Sequence, residues 1–124
     1  NVKGELDSIE LTLNLDTAVP LGIIVSELIV NAMKHAFPDG KNGKLEVQLG
    51  KRGDFYHLIV KDNGVGLPSS FHLDQSKSLG TEIIKALSEQ IDAELSYYSE
   101  HGAVFELKFQ EEGDRQLKHP STNS

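Results

Sequence analysis

The stretch PLGIIVSELIVNAMKHAF, residues 20–37, predicts one long helix around which the rest of the chain is arranged. Most of its positions are aliphatic, and Pro20 is tolerated in a first turn that Asp16 or Thr17 could cap. Pro38, followed by Asp-Gly, ends the predicted helix. A helix that is apolar on most sides is expected to be buried in a core.

A polar stripe interrupts this apolar helix. At 100° per residue, Glu27, Asn31, Lys34 and His35 fall within an arc of roughly 100°. The simpler interpretation is a solvated helix face. The alternative is a ligand site, because an amide oxygen suits Mg²⁺, a lysine suits phosphate and a carboxylate can orient or deprotonate a nucleophile. Together these groups are what a nucleoside triphosphate requires.

Alternating apolar residues predict a sheet to cover this helix. A second helix, with Ser78 as its cap, is predicted from Leu79 to Ile91. The predicted fold class is α/β, a two-layer sandwich in which a mixed, mainly antiparallel sheet is backed by helices. One domain is predicted over residues 1–110 and a disordered tail over 111–124. The predicted strands are 9–15, 44–50, 55–61, 93–98 and 103–110.

Composition excludes several classes of protein. The 124 residues carry a formal net charge of −7, which argues against a nucleic-acid partner. There is no cysteine, so disulfides, thiolate metal sites and cysteine nucleophiles are excluded. No uninterrupted apolar run reaches the ~18 residues of a membrane span, and the amino terminus has no signal-peptide pattern. A cytoplasmic domain is the expectation.

The stretch DNGVGLP, residues 62–68, directly follows a predicted strand. It is not a dinucleotide fingerprint, because Ser69 stands where the third glycine belongs, and the chain has no Walker-type phosphate loop. An ordinary turn is the simpler interpretation. However, a buried Asp62 needs a hydrogen-bond donor, which the exocyclic amine of adenine could supply. Gly64 and Gly66 would let the backbone lie against the base.

Ser78-Leu79-Gly80 opens the second predicted helix. The free N–H groups and partial positive charge of a helix amino terminus suit phosphate oxygens. An ordinary serine-capped helix explains the same three residues, and this motif alone does not decide between the two.

Taken in order, these motifs resemble those of a known family. ELIVNAMKHAF (residues 27–37), DNGVGLP (62–68) and SLGTEII (78–84) are similar to the N box and the two glycine boxes of the ATP-binding domain of sensor histidine kinases. That domain has the GHKL or Bergerat fold, shared with gyrase B and the 90-kDa heat-shock chaperones. The short loop before SKSLG and the ending GAVFELKF resemble the HWE-related kinases with a shortened ATP lid. The resemblance covers roughly residues 8–110.

The resemblance implies roles for the polar stripe. Asn31 would bind Mg²⁺ through its side-chain oxygen and bridge the metal to the triphosphate. Glu27 would be the catalytic residue that orients or activates the phosphoryl acceptor. Lys34 and His35 would contact phosphate or ribose.

It also implies roles for the glycine-containing motifs. Asp62 would accept a hydrogen bond from the adenine amine, and Gly64 and Gly66 would shape the pocket floor. Leu79 and Gly80 would offer backbone N–H groups to the phosphates.

The chain departs from the family pattern at two positions, and the predicted lid contains one further candidate site residue. The family usually has glycine at the position of Ser78, so a phosphate contact there is less secure. It usually has Gly-Thr where this chain has Gly102-Ala103, so a hydroxyl near the base is missing. Lys77, in the predicted lid, is a further candidate to hold phosphate.

The resemblance implies transfer of the γ-phosphate of ATP to a histidine on a separate phosphoacceptor domain, and from there to a response regulator. Without that domain the chain is expected to bind ATP but to phosphorylate itself negligibly. No nucleic acid and no direct membrane contact are expected, although a parent kinase could be membrane-anchored. Two alternatives stay open: an anti-sigma-factor-type serine kinase, and a pseudo-kinase that serves only as an interaction module.

Overall fold

The computed structural model describes residues 2–8 (as a backbone strand), 13–37, 43–68, 71–73 and 78–111. The described strands form a sheet in the order β1-β2-β3-β5-β4, with β1 parallel to β2 and the other neighbours antiparallel. The prediction of a mixed, mainly antiparallel sheet is therefore confirmed. In chain order the elements are β1 (Val2–Ser8), α1 (Leu15–His35), β2 (Gly43–Arg52), β3 (Phe55–Asp62), α2 (Leu79–Gln90), β4 (Glu94–Ser99) and β5 (Ala103–Phe109).

The core lies between one face of the sheet and the two helices. Successive strand residues point to opposite faces, so Tyr56, Leu58 and Val60 of β3 are buried and the residues between them are not. Leu58 of β3 and Leu107 of β5 face each other in register and are both buried. The helices close this layer, which confirms the two-layer sandwich. Their core residues are Leu21, Ile24 and Leu28 of α1 and Ile84 of α2.

The start of the chain differs from the predicted strand at 9–15. The strand is β1, at 2–8, while residues 9–12 lie outside the described residues. Asn14 has extended backbone angles (φ −67°, ψ 149°) and is the N-cap of α1, so neither Asp16 nor Thr17 caps the helix. Leu15 therefore begins α1, and its side chain is exposed. A short alternating pattern cannot separate a strand from the entry into a helix.

The amino terminus of α1 is bound by a residue from the far end of the chain. Glu111 accepts a hydrogen bond from the backbone N–H of Asn14 (2.9 Å) and another from Oγ1 of Thr17 (2.7 Å). Thr17 and Glu111 are both buried, and a carboxylate is favourable at a helix amino terminus. Glu111 thus belongs to the folded domain and not to a disordered tail. The rest of that predicted tail, 112–124, lies outside the described residues.

Helix α1 contains no uninterrupted apolar run of ~18 residues, but the helix as a whole is long and apolar enough to be a candidate membrane span by length and composition. Its 21 residues have a mean hydropathy of 1.5 in the most apolar window, which meets that criterion. The core helix of a soluble protein passes the same test. Here Leu21, Ile24 and Leu28 pack into the core with the sheet.

Gly22 offers a test of how α1 contributes to stability. It lies inside the helix, and a Cβ built on it would meet nothing within 4 Å. We expect Gly22→Ala to raise the free energy of unfolding by about 0.5–1 kcal/mol, because glycine loses more backbone entropy than alanine in a helix. Urea unfolding followed by circular dichroism measures the change. Gly53→Ala is the control, because Gly53 is equally open but its φ of +59° disfavours alanine, so that variant should gain no stability. If Gly22→Ala is no more stable than the wild type, the expectation is wrong.

Candidate functional site

The polar stripe of α1 meets the first turn of α2. A Cβ built on Gly80 would lie 2.7 Å from Oε1 of Glu27 and 3.7 Å from Oδ1 of Asn31. Both side chains are half-buried, and neither makes a hydrogen bond or ion pair with any described residue. Polar groups removed from water usually have partners. An unpaired carboxylate and amide beside a helix amino terminus therefore indicate a place for a polar ligand.

Ser78 caps α2, as the sequence predicts. Its Oγ accepts a hydrogen bond from the backbone N–H of Thr81 (3.2 Å) and lies 3.0 Å from Oγ1 of the same residue. The hydroxyl is therefore committed to the helix. By contrast, the N–H groups of Leu79 and Gly80 donate to no residue that the structure describes. This first turn is suited to an anion.

Lys34 and His35 lie in the last turn of α1 and are exposed. Neither forms an ion pair within the described part of the chain. They follow Asn31 along the same helix, so the stripe runs from a carboxylate through an amide to two nitrogen-bearing side chains. Lys77, the predicted lid residue, lies outside the described residues.

Asp62 ends β3 and links the two loops at this end of the sheet. Its Oδ1 accepts hydrogen bonds from the backbone N–H groups of Gly64 (2.8 Å) and Ala103 (3.1 Å). From the sequence, Asp62 is expected to need hydrogen-bond donors, and two of these donors are backbone groups of the protein itself. Oδ2 accepts no hydrogen bond from a described residue. One oxygen fixes the carboxylate, and the other has no partner among the described residues.

The two glycines of the Asp62–Pro68 loop allow close packing on the protein itself. A Cβ on Gly64 would lie 2.2 Å from the carbonyl oxygen of Ala36, which also accepts a hydrogen bond from the N–H of Val65 (3.0 Å). Gly66 has a φ of +81°, which disfavours any other residue. The loop is therefore held against the carboxyl end of α1, within reach of the polar stripe.

The β4–β5 turn contributes three residues whose roles the sequence analysis did not predict. Gly102 has a φ of +135° and packs directly on the carbonyl of Asp62. Ala103 supplies a backbone donor, and Ser99 reaches the loop from β4. Only Gly102 carries a sequence signal, as a glycine in a turn.

The described residues contain no group of three or more histidine, cysteine, aspartate or glutamate side chains that could hold a metal ion. A groove of about 550 Å³ lies at the other end of the helices, between Leu15–Ile23 of α1 and Leu87–Ile91 of α2. It contains none of the predicted site residues.

Comparisons with known proteins agree with this fold. The sequence model of the family described as "Histidine kinase-, DNA gyrase B-, and HSP90-like ATPase" matches residues 16–113. The chain is 35% identical over 85 residues to the sensor histidine kinase PdtaS of Mycobacterium tuberculosis, covering 67% of this chain and 17% of that protein. It is 37% identical over 62 residues to the serine-protein kinase RsbW of Bacillus subtilis, covering 50% and 36%.

A solved structure shows the same fold. The histidine kinase domain of the blue-light-activated histidine kinase of Erythrobacter litoralis superposes with a TM-score of 0.79 at 25% identity, covering 87% of this chain and 54% of that one. The chain thus spans only part of each of these relatives.

Proposed function

The chain belongs to the histidine kinase-, gyrase B- and HSP90-like ATPase family, and on that premise we propose that it binds Mg-ATP and donates the γ-phosphate to a histidine of a separate phosphoacceptor domain. The proposal rests on one observation: the side chains of Glu27 and Asn31 lie beside the backbone of Gly80. An unpaired carboxylate, an unpaired amide and the amino terminus of α2 therefore lie close together, with no partner among the described residues.

The two ends of the site suit the two ends of ATP. Oδ2 of Asp62 would accept a hydrogen bond from the exocyclic amine of adenine, with Gly64 and Gly66 beneath the base. The N–H groups of Leu79 and Gly80 would bind phosphate oxygens, supported by the amino-terminal charge of α2. Lys34 and His35 would contact phosphate or ribose from the end of α1.

The donor set fits Mg²⁺, which prefers hard oxygen ligands and accepts one or two from protein when phosphates supply others. Asn31 would be its protein ligand through Oδ1. Once bound, the ion would neutralise charge on the phosphates.

Glu27 would act on the acceptor, not on ATP. Its carboxylate lies beside the first turn of α2, where the phosphates would end, and it has no partner among the described residues. It is thus available to orient or deprotonate an incoming imidazole. Phosphoryl transfer depends chiefly on such positioning and on electrostatic stabilisation.

The partners follow from this chemistry. The histidine would belong to the phosphoacceptor and dimerisation domain of the parent kinase, and a response regulator would receive the phosphate from it. The ATP-binding domain would be cytoplasmic, with no nucleic acid and no direct membrane contact.

A serine kinase of the anti-sigma-factor type is the second candidate, supported by the likeness to RsbW. The two are separated by the phosphorylated product, since phosphohistidine is acid-labile and phosphoserine is acid-stable. The pseudo-kinase alternative is disfavoured because Glu27, Asn31 and Asp62 are all present; its only support is Ala103, which lacks the family's hydroxyl.

Isothermal titration with ADP and with a non-hydrolysable ATP analogue, each with and without Mg²⁺, tests the proposal. We expect binding that Mg²⁺ strengthens and that discriminates against guanine nucleotides. Asn31→Ala, which removes the amide oxygen, is expected to reduce the Mg²⁺-dependent part of the affinity by at least about fivefold, an energy of about 1 kcal/mol. Its thermal unfolding should be unchanged, since Asn31 has no described partner. No binding at millimolar nucleotide would overturn the function, and unchanged Mg²⁺ dependence would overturn the role of Asn31.

A further inference from the structure

Ser99, the last residue of β4, binds the loop that follows β3. Its Oγ accepts a hydrogen bond from the backbone N–H of Leu67 (2.8 Å) and lies in donating range of the carbonyl oxygen of the same residue (3.3 Å). A Cβ built on Gly66 would lie 3.2 Å from that Oγ. One hydroxyl thus satisfies both backbone groups of Leu67 and lies against Gly66.

The rest of the loop is anchored elsewhere. Gly64 is held by Asp62, and Val65 by the carbonyl of Ala36. For Leu67, both hydrogen bonds within the described residues are made with Ser99. Within the described residues, the hydrogen bonds that tie Leu67 to the sheet therefore all come from this one side chain.

We propose that Ser99 is a positioning residue for the nucleotide site, an inference that rests on the proposed function. Its hydroxyl holds Gly66 and Leu67 in the conformation that receives the adenine ring, and it sets nucleotide affinity without touching the nucleotide. Ser99 is exposed. Water can therefore replace the hydroxyl when the loop is released, so the fold loses little. The affinity for the nucleotide decreases instead, because binding must then order the loop.

Three variants test this role. In Ser99→Ala the loop loses its anchor, in Ser99→Thr the hydroxyl is kept, and Ser96→Ala is the matched control. Ser96 lies on the same strand and is exposed, and its side chain makes no hydrogen bond with a described residue. Each variant is titrated with ADP, with and without Mg²⁺, and its thermal unfolding is measured.

We expect Ser99→Ala to weaken ADP binding between about threefold and tenfold, the equivalent of one net hydrogen bond. The factor should be the same with and without Mg²⁺, because the loop serves the base and not the phosphates. The unfolding temperature should stay within about 2 °C, consistent with an exposed hydrogen bond. Ser99→Thr should restore the affinity, and Ser96→Ala should match the wild type.

The contrary outcomes separate the two proposals. If the wild type binds ADP and Ser99→Ala binds it equally well, the positioning role is wrong and the proposed function stands. A loss of affinity that appears only with Mg²⁺, or that Ser99→Thr does not restore, also overturns the positioning role. If the wild type does not bind ADP, both proposals fall.

Discussion

Gly102→Ala is expected to lower the free energy of unfolding by about 3–5 kcal/mol, the largest effect on stability that we predict for a single methyl group in this chain. Gly102 has a φ of +135°, and a Cβ built on it would lie 1.9 Å from the carbonyl oxygen of Asp62 and 2.9 Å from Cα of Asn63. These neighbours are backbone atoms, so no side-chain rotation relieves the clash. The strained backbone and the overlap each cost about 1–3 kcal/mol.

Thermal unfolding measures this effect as a fall of about 10–20 °C in the midpoint. Gly53→Ala is the matched control, because Gly53 also has a positive φ (+59°) but has nothing within 4 Å of its Cβ position. It should lose only about 1–2 kcal/mol, the cost of the left-handed backbone. If the two variants lose equal stability, the overlap with the backbone of Asp62 adds nothing to the cost of the positive φ, and the close packing of the β4–β5 turn on β3 does not explain the loss.

The fold could be predicted from the sequence wherever one face of an element is buried. The alternation in β3 and β5, and the helical spacing in α2, gave bounds within about two residues, the usual uncertainty at the ends of elements. The strand at 9–15 failed because alternation over so few residues also fits the entry into a helix, and Leu15 is in fact the first residue of α1. The role of Glu111 at the amino terminus of α1 was not predicted for another reason: its partners Asn14 and Thr17 lie 97 and 94 residues away in the sequence.

The candidate site, like the fold, could be predicted from the sequence only in part. Glu27 and Asn31 could be paired from sequence, because residues four apart share a helix face. Their meeting with Gly80 was implied only by resemblance. The groups that fix Asp62 are backbone N–H groups, which every residue except proline has, so no residue type marks them. Ser99 is an ordinary strand serine until its partner, 32 residues away, is known.

Asp62→Asn is expected to weaken binding of adenine nucleotides by about 1–3 kcal/mol, roughly 5- to 150-fold, while leaving the fold intact. An asparagine keeps one oxygen acceptor, and the N–H groups of Gly64 and Ala103 (2.8 and 3.1 Å) require that oxygen at the position of Oδ1. Its NH₂ group then stands where Oδ2 was. A donor would face the adenine amine, which is also a donor.

The same reversal makes the prediction specific to the base. Guanine carries an acceptor oxygen where adenine carries its amine, so the NH₂ group of Asp62→Asn should favour guanine. Titration with ADP and GDP should therefore show the ADP preference shrinking or inverting in this variant. Asp62→Ala is the control: it removes both oxygens, leaves the N–H groups of Gly64 and Ala103 without their acceptor, and should abolish the ADP preference without inverting it, with a loss of stability. An unchanged ratio of ADP to GDP affinity in Asp62→Asn would mean that Oδ2 does not face the base, and Asp62 would then be only the anchor between the loop and the β4–β5 turn.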